Sequence, residues 1–323
     1  MKVLQVLDRP ASQSFYAVAG RLLFIESFDL ELTPLIERLF AGWQLTPLTF
    51  LAHNPDIKIT FTTVERLPEV PAGLDQFEVA EGGRCYTAGG EYYLQFGNAL
   101  LNLRDENPVR VSVFICGPTT AELARVTSFA VCAALRRFAV FELHGAGVVE
   151  PNSKTGVLII GPSGAGKSTL TLQLATAGWS YLSDDELLLS LQEDVVEARG
   201  FRSFFALAEA AGGLKTRFEP LTAFDAPRVD RVVPRFLFFT SIRSAETTHI
   251  RELAQPETMT RLIRACPWAS YDTKVAGANL ELLSRLARQA KGFDLAAGKD
   301  LLAPETASRM ISSACNHAGT HGT

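Results

Sequence analysis

The chain has 323 residues, 47% of them hydrophobic, enough for a substantial core and for one large or two ordinary domains. A formal net charge of −4 excludes a general attraction to nucleic acid or to acidic membrane surfaces, and no apolar run reaches the roughly 18 residues of a membrane span. Five scattered cysteines form no C-x-x-C pair, and the opening MKVLQVLDRP lacks the long apolar stretch of a signal peptide, so a reducing, cytoplasmic setting is expected.

Taken in chain order, residues 1–108 read as short strands and turns, which predicts a smaller, β-rich α+β N-terminal domain, a candidate for binding an acceptor. Phe15 to Ile25 is strand-like, 31–41 has helical spacing, His53-Asn54-Pro55-Asp56 is a turn, and Gly89-Gly90 ahead of Glu91 to Phe96 signals a hairpin. At Val109 the text changes. Val109 to Ile115 reads as a buried strand, and a helix over 119–137 carries Leu123, Val126, Ala130 and Ala134 on one face, so an α/β domain is expected over 109–311. Ala139 to Val149, the turn Pro151 to Gly156 and the apolar run from Val157 form a second hairpin. Trp179 to Ser183 is a short strand, Phe236 to Thr240 a core strand and Leu280 to Ala290 a helix. Residues 312–323 are small and polar and are expected to form a disordered tail.

The segment from Val157 to Leu170, VLIIGPSGAGKSTL, carries the chemistry. An apolar strand runs into Gly161-Pro162-Ser163-Gly164-Ala165-Gly166-Lys167-Ser168-Thr169, a complete phosphate-binding loop of the form G-x-x-x-x-G-K-[ST]. Glycines let successive backbone N–H groups turn inward around phosphate oxygens, Lys167 supplies a positive charge for the β and γ phosphates, and the Ser168 hydroxyl can ligate Mg²⁺. Leu170, Leu174 and Ala177 continue at helical spacing, and Gly178 suits a helix C-terminus. ATP or GTP is the expected ligand.

A phosphate loop names a nucleotide and no reaction. Three neighbours narrow the chemistry: Leu143-His144-Gly145, Asp184-Asp185 and Glu197-Ala198-Arg199-Gly200. Acidic residues at a strand's carboxyl end face the same crevice as the loop; one carboxylate can hold Mg²⁺ or its water while another takes a proton from an attacking hydroxyl. His144 can bond to that carboxylate and set its protonation state, Glu197 is a second metal candidate, and Arg199 can meet charge on the transferring phosphoryl group. Asp185 is assigned to metal or water. Arg235 and Arg243 flank the Phe236 to Thr240 strand and are weaker candidates for closing over phosphates.

These four pieces, in this order, resemble the catalytic domain of the HPr kinase/phosphorylase family over about 140–205. The resemblance implies a P-loop kinase fold akin to phosphoenolpyruvate carboxykinase, with ATP preferred over GTP. It further implies that Asp184 is the general base toward a serine hydroxyl, that His144 partners it, and that Ser168 and Glu197 attend the metal. The expected activity is ATP- and Mg²⁺-dependent transfer of the γ-phosphoryl group to a serine of a peptide or small protein. The alternatives are a small-molecule hydroxyl kinase and a nucleotide-dependent switch or scaffold; a homo-oligomer is compatible with all three.

Overall fold

The computed structural model describes residues 9–50, 53–79, 82–88, 91–117, 120–208, 215–218, 226–243 and 245–319. The chain divides into two compact units: Met1–Val140 with Trp268–Gly277, and Phe141–Pro267 with Ala278–Thr323. It is a mixed α/β structure built on two large sheets.

The first unit holds β1 (Ser12–Val18), β2 (Arg21–Ser27), α1 (Thr33–Ala41), β3 (Thr46–Leu48), β4 (Ile57–Thr63), β5 (Asp75–Val79), β6 (Gly83–Ala88), β7 (Glu91–Phe96), β8 (Ala99–Arg104), β9 (Val109–Ile115) and α2 (Thr120–Arg136). Its nine strands lie in the order β3-β1-β2-β4-β9-β8-β7-β6-β5. The stretch expected as one strand from Phe15 is a hairpin, because Ala19 and Gly20 both take positive φ, the two-residue turn that matches strand twist. β6 and β7 pair as the hairpin expected ahead of Glu91, while Gly89 and Gly90 themselves lie outside the described residues. The predicted face of α2 is buried at Leu123, Val126, Ala130 and Ala134.

The domain boundary differs from the expected change at 109. β9 pairs in parallel with β4 and antiparallel with β8, so it is central to the first sheet. Its burial alternates, with Val109, Val111, Val113 and Ile115 inside, which is the pattern of a strand buried on one face. A distant segment also returns to this unit: Asp272, 2% exposed, accepts from Arg136 Nη1 at 3.2 Å and Arg137 Nη1 at 2.8 Å, and the Arg136 guanidinium lies over the Trp268 ring at 4.2 Å.

The second unit holds β10 (Val140–Val149), β11 (Gly156–Ile160), α3 (Lys167–Thr176), β12 (Ser180–Ser183), β13 (Glu186–Gln192), β14 (Val195–Gly200), β15 (Phe205–Ala208), β16 (Lys215–Phe218), β17 (Arg231–Val232), β18 (Pro234–Ile242), β19 (His249–Glu252), α4 (Gln255–Arg264), α5 (Thr273–Gln289), β20 (Lys291–Ala297) and α6 (Pro304–Gly319); Val140 and the first residues of α5 belong to the first unit. Its main sheet runs β17-β14-β13-β10-β11-β18-β20-β19, with β12 also paired to β10. β11, β18 and β20 are mutually parallel neighbours, and β10 meets β11 as the expected antiparallel hairpin. Ala146, Val148, Val157, Ile159, Phe238, Phe293 and Leu295 of the sheet pack with Leu170, Leu174, Ala307, Ile311 and Cys315 of α3 and α6.

The end of the chain corrects another expectation. Residues 312–319 continue α6, because Ala307, Ile311 and Cys315 recur every four residues and extend an apolar stripe into the core. Residues 320–323 lie outside the described residues. Burial pushes the Cys315 thiol up to about 12. Among the described residues no helix is long and apolar enough to cross a membrane.

Asp272→Ala is expected to lower stability by about 3–5 kcal/mol, since it removes a buried carboxylate that two buried guanidinium groups share. Urea denaturation checks this, and an unchanged midpoint would contradict the assigned role.

Candidate functional site

All five residues of β11 are buried, and the chain then leaves the sheet as a tight loop with Pro162, Ser163 and Gly164 exposed at its crest. Two glycine requirements shape it. A Cβ at Gly161 would stand 2.8 Å from the Thr240 carbonyl oxygen and 2.9 Å from its Oγ1, and Gly164 and Gly166 have φ of +79° and +85°. Gly166 is the N-cap of α3 and offers no side-chain cap, so the first-turn N–H groups are left to other acceptors at the positive end of the helix. At its other end α3 closes with Gly178 N–H bonded to Ala175 O and Trp179 N–H to Leu174 O, both at 3.0 Å, a Schellman motif with Gly178 at φ +89°. Thr169 sits in the first turn, half-buried.

Lys167 is buried at 5% exposure. Its Nζ donates to Gly161 O at 2.9 Å, to Pro162 O at 3.1 Å and to His144 Nε2 at 2.8 Å. An ammonium can only donate, so Nε2 is the acceptor and the ring proton sits on Nδ1, which faces Asp185 Oδ1 at 3.6 Å. Partial burial and then the Lys167 charge hold the imidazole below its usual 6.5; the carboxylates of Asp185 and Glu186 and a backbone hydrogen bond at Asp185 pull the other way without reversing this.

Ser168 Oγ donates to Asp184 Oδ1 at 2.9 Å, and Asp184 is 1% exposed. Asp184 and Asp185 form the turn between β12 and β13. Glu186 N–H bonds back to Asp184 O at 2.9 Å across Asp185, whose φ of 70° marks the rare positive-φ γ-turn, a strained geometry for a residue with a Cβ. Ser183 holds that turn in place. Its Oγ accepts from the N–H of Arg202 at 2.9 Å and of Phe201 at 3.2 Å, and lies 2.7 Å from Glu186 O. Arg202 adds an ion pair to Glu186 at 2.8 Å.

The structure therefore gathers His144, the loop, Lys167, Ser168, Asp184 and Asp185. The expected partnership of His144 is corrected in part: its ring meets Lys167 and Asp185. Glu197 and Arg199 lie on the neighbouring strand β14. Both project from the same side of β14, where Glu197 pairs with Arg199 at 3.3 Å and with Arg231 at 3.6 Å. Glu197 is abreast of Ser190, four residues past Glu186, or about 13 Å along the strand. Arg235 is seven residues before the end of β18, about 23 Å from the loop end of that strand, where exposed Arg243 follows it.

Ser183, and Thr240 standing against Gly161, were not expected. Ser183 carries a signal only in its position before the acidic pair, and Thr240 only in closing an apolar strand.

Among the described residues no three His, Cys, Asp or Glu side chains form a metal cluster. Mg²⁺ nevertheless fits the Ser168 hydroxyl and Asp184 carboxylate, because this ion keeps several waters and uses few protein ligands beside phosphate oxygens.

No protein-family model matches the chain, and no curated protein does. Among solved structures the chain is similar to the Hpr(Ser) kinase/phosphatase from Coxiella burnetii, with 14% identity and a TM-score of 0.35 over 56% of this chain and 99% of that one.

Lys167→Met is expected to raise the His144 titration midpoint, since it removes a positive charge that disfavours the imidazolium. Histidine NMR across pH 4.5–8 reads it, and a midpoint unmoved or lowered would contradict the Lys167–His144 contact.

Proposed function

We propose that this chain is an ATP-dependent kinase that transfers the γ-phosphoryl group to a hydroxyl, most simply a serine of a peptide or small protein. The observation that carries it is the junction of a glycine loop, a buried lysine and a serine hydroxyl bonded to a buried carboxylate at one helix N-terminus. Phosphoryl transfer asks for positioning and charge stabilisation more than for covalent chemistry, and this junction supplies both.

In this reading the loop N–H groups from Ser163 to Thr169 and the Lys167 ammonium hold the phosphates. Lys167 exchanges its loop carbonyls for phosphate oxygens while neutral His144 keeps it oriented. Ser168, with Asp185, would hold Mg²⁺, and the ion would supply neutralisation of phosphate charge. Asp184 accepts the proton of the acceptor hydroxyl. Glu197 and Arg199, tied to each other, brace β14, and neither contacts the phosphates.

The burial of Asp184 and its bond from Ser168 favour a second assignment within the same reaction. There Asp184 belongs to the metal side, and Asp185, 43% exposed, takes the proton. The acceptor as a small molecule, and a switch without transfer, remain the competing functions; a switch needs no base for an alcohol.

With Mg²⁺, γ-labelled ATP and a serine-containing peptide library, mass spectrometry is expected to find phosphopeptide. Substituting the base with Asn should cost about 10²–10⁴ in rate at nearly unchanged ATP affinity, whereas substituting the metal-side carboxylate should raise the Mg²⁺ requirement. Asp184→Asn and Asp185→Asn thus separate the two assignments. Transfer retained by both variants would contradict either base.

A further inference from the structure

We propose that Ile242 is the apolar wall on which the nucleoside of the bound nucleotide rests. The inference depends on the nucleotide reading above and adds the direction in which the nucleotide lies.

β18 is buried from Leu237 through Thr240, yet its last residue, Ile242, is 63% exposed. Strand alternation places Phe238, Thr240 and Ile242 on one face. Phe238 packs in the core with α3, and Thr240 is the close neighbour of Gly161, so this is the face that carries the loop. Ile242 reaches the far end of the loop: its Cγ1 and Cδ1 lie 3.4 and 3.6 Å from where a Cβ of Gly166 would stand.

The two flanks of the loop are chemically different. β11 has β10 on one side and β18 on the other. From β10 comes His144, bonded to Lys167, with Asp185 beside it. That flank concentrates the groups for the terminal phosphate. A triphosphate wrapped around the loop with its γ end there must leave across Gly166 toward β18, where an exposed aliphatic side chain meets it. An isoleucine offers nothing to phosphate and a flat apolar contact to a base or ribose. Because that contact carries no hydrogen-bond readout, it favours a nucleoside over bare phosphate without choosing adenine over guanine.

The test is calorimetric titration of the full chain with ATP and, separately, with inorganic tripolyphosphate, both with Mg²⁺, for wild type, Ile242→Ala, Ile242→Leu and Lys167→Met. Ile242→Ala is expected to weaken ATP about five- to tenfold and leave tripolyphosphate unchanged, with Ile242→Leu restoring ATP affinity. ATP affinity unchanged in Ile242→Ala, or an equal loss for both ligands, would overturn the inference. Lys167→Met should weaken both ligands; if it weakens neither, or if the wild type binds neither, the phosphate reading itself fails and the inference falls with it.

Discussion

The second unit is organised around one buried positive charge. An ammonium group removed from water costs several kcal/mol unless its protons find acceptors, and Lys167 finds three: two carbonyls of its own loop and the Nε2 of His144. The first two require the loop to curl back over the start of α3, which the positive φ at Gly164 and Gly166 permits. The third requires a neutral imidazole presented from β10, which the β10–β11 hairpin places beside the loop. Strand, loop and helix are thereby locked in one geometry. In the proposed function these carbonyls mark the place that phosphate oxygens would take.

Against that fixed frame the acidic pair is held by a different device. The positive φ of Asp185 is unfavourable for a residue with a Cβ, and it persists because Ser183 ties the strand end to Phe201 and Arg202 while Arg202 also grips Glu186. The two carboxylates consequently leave the turn in different environments. Asp184 is buried against Ser168, and Asp185 is half-exposed beside His144. In the proposed function this separation gives adjacent, chemically identical groups distinct duties. In the hairpin beyond, Glu197 is caught between Arg199 and Arg231.

What the sequence disclosed follows the range of each interaction. The loop, the helix after it and its Gly178 terminus are local, and all were legible because glycine spacing and apolar periodicity act within a few residues. The buried face of α2 and the hairpin ahead of the loop were legible for the same reason. The boundary at 109 was misplaced because Val109 to Ile115 is apolar enough to pass for a fully buried strand, although its alternation marks one buried face. Its pairing with β4, about fifty residues earlier, leaves no local trace. Asp272 meeting Arg136 and Arg137, and Glu197 meeting Arg231, are tertiary facts of the same kind. In the tail, the single Cys315 was too weak a signal against its small polar neighbours, yet it completes the stripe begun by Ala307 and Ile311.

The most direct test of this account is amide hydrogen exchange of the full chain with and without MgATP. Bound MgATP is expected to protect the loop and first turn of α3, from Ser163 to Thr169, with a second zone at the Asp184–Asp185 turn that Ser168 reaches. Saturating MgATP that left these amides unprotected, or protected a region of the first unit instead, would contradict the claim that this loop is where the chain holds its phosphates.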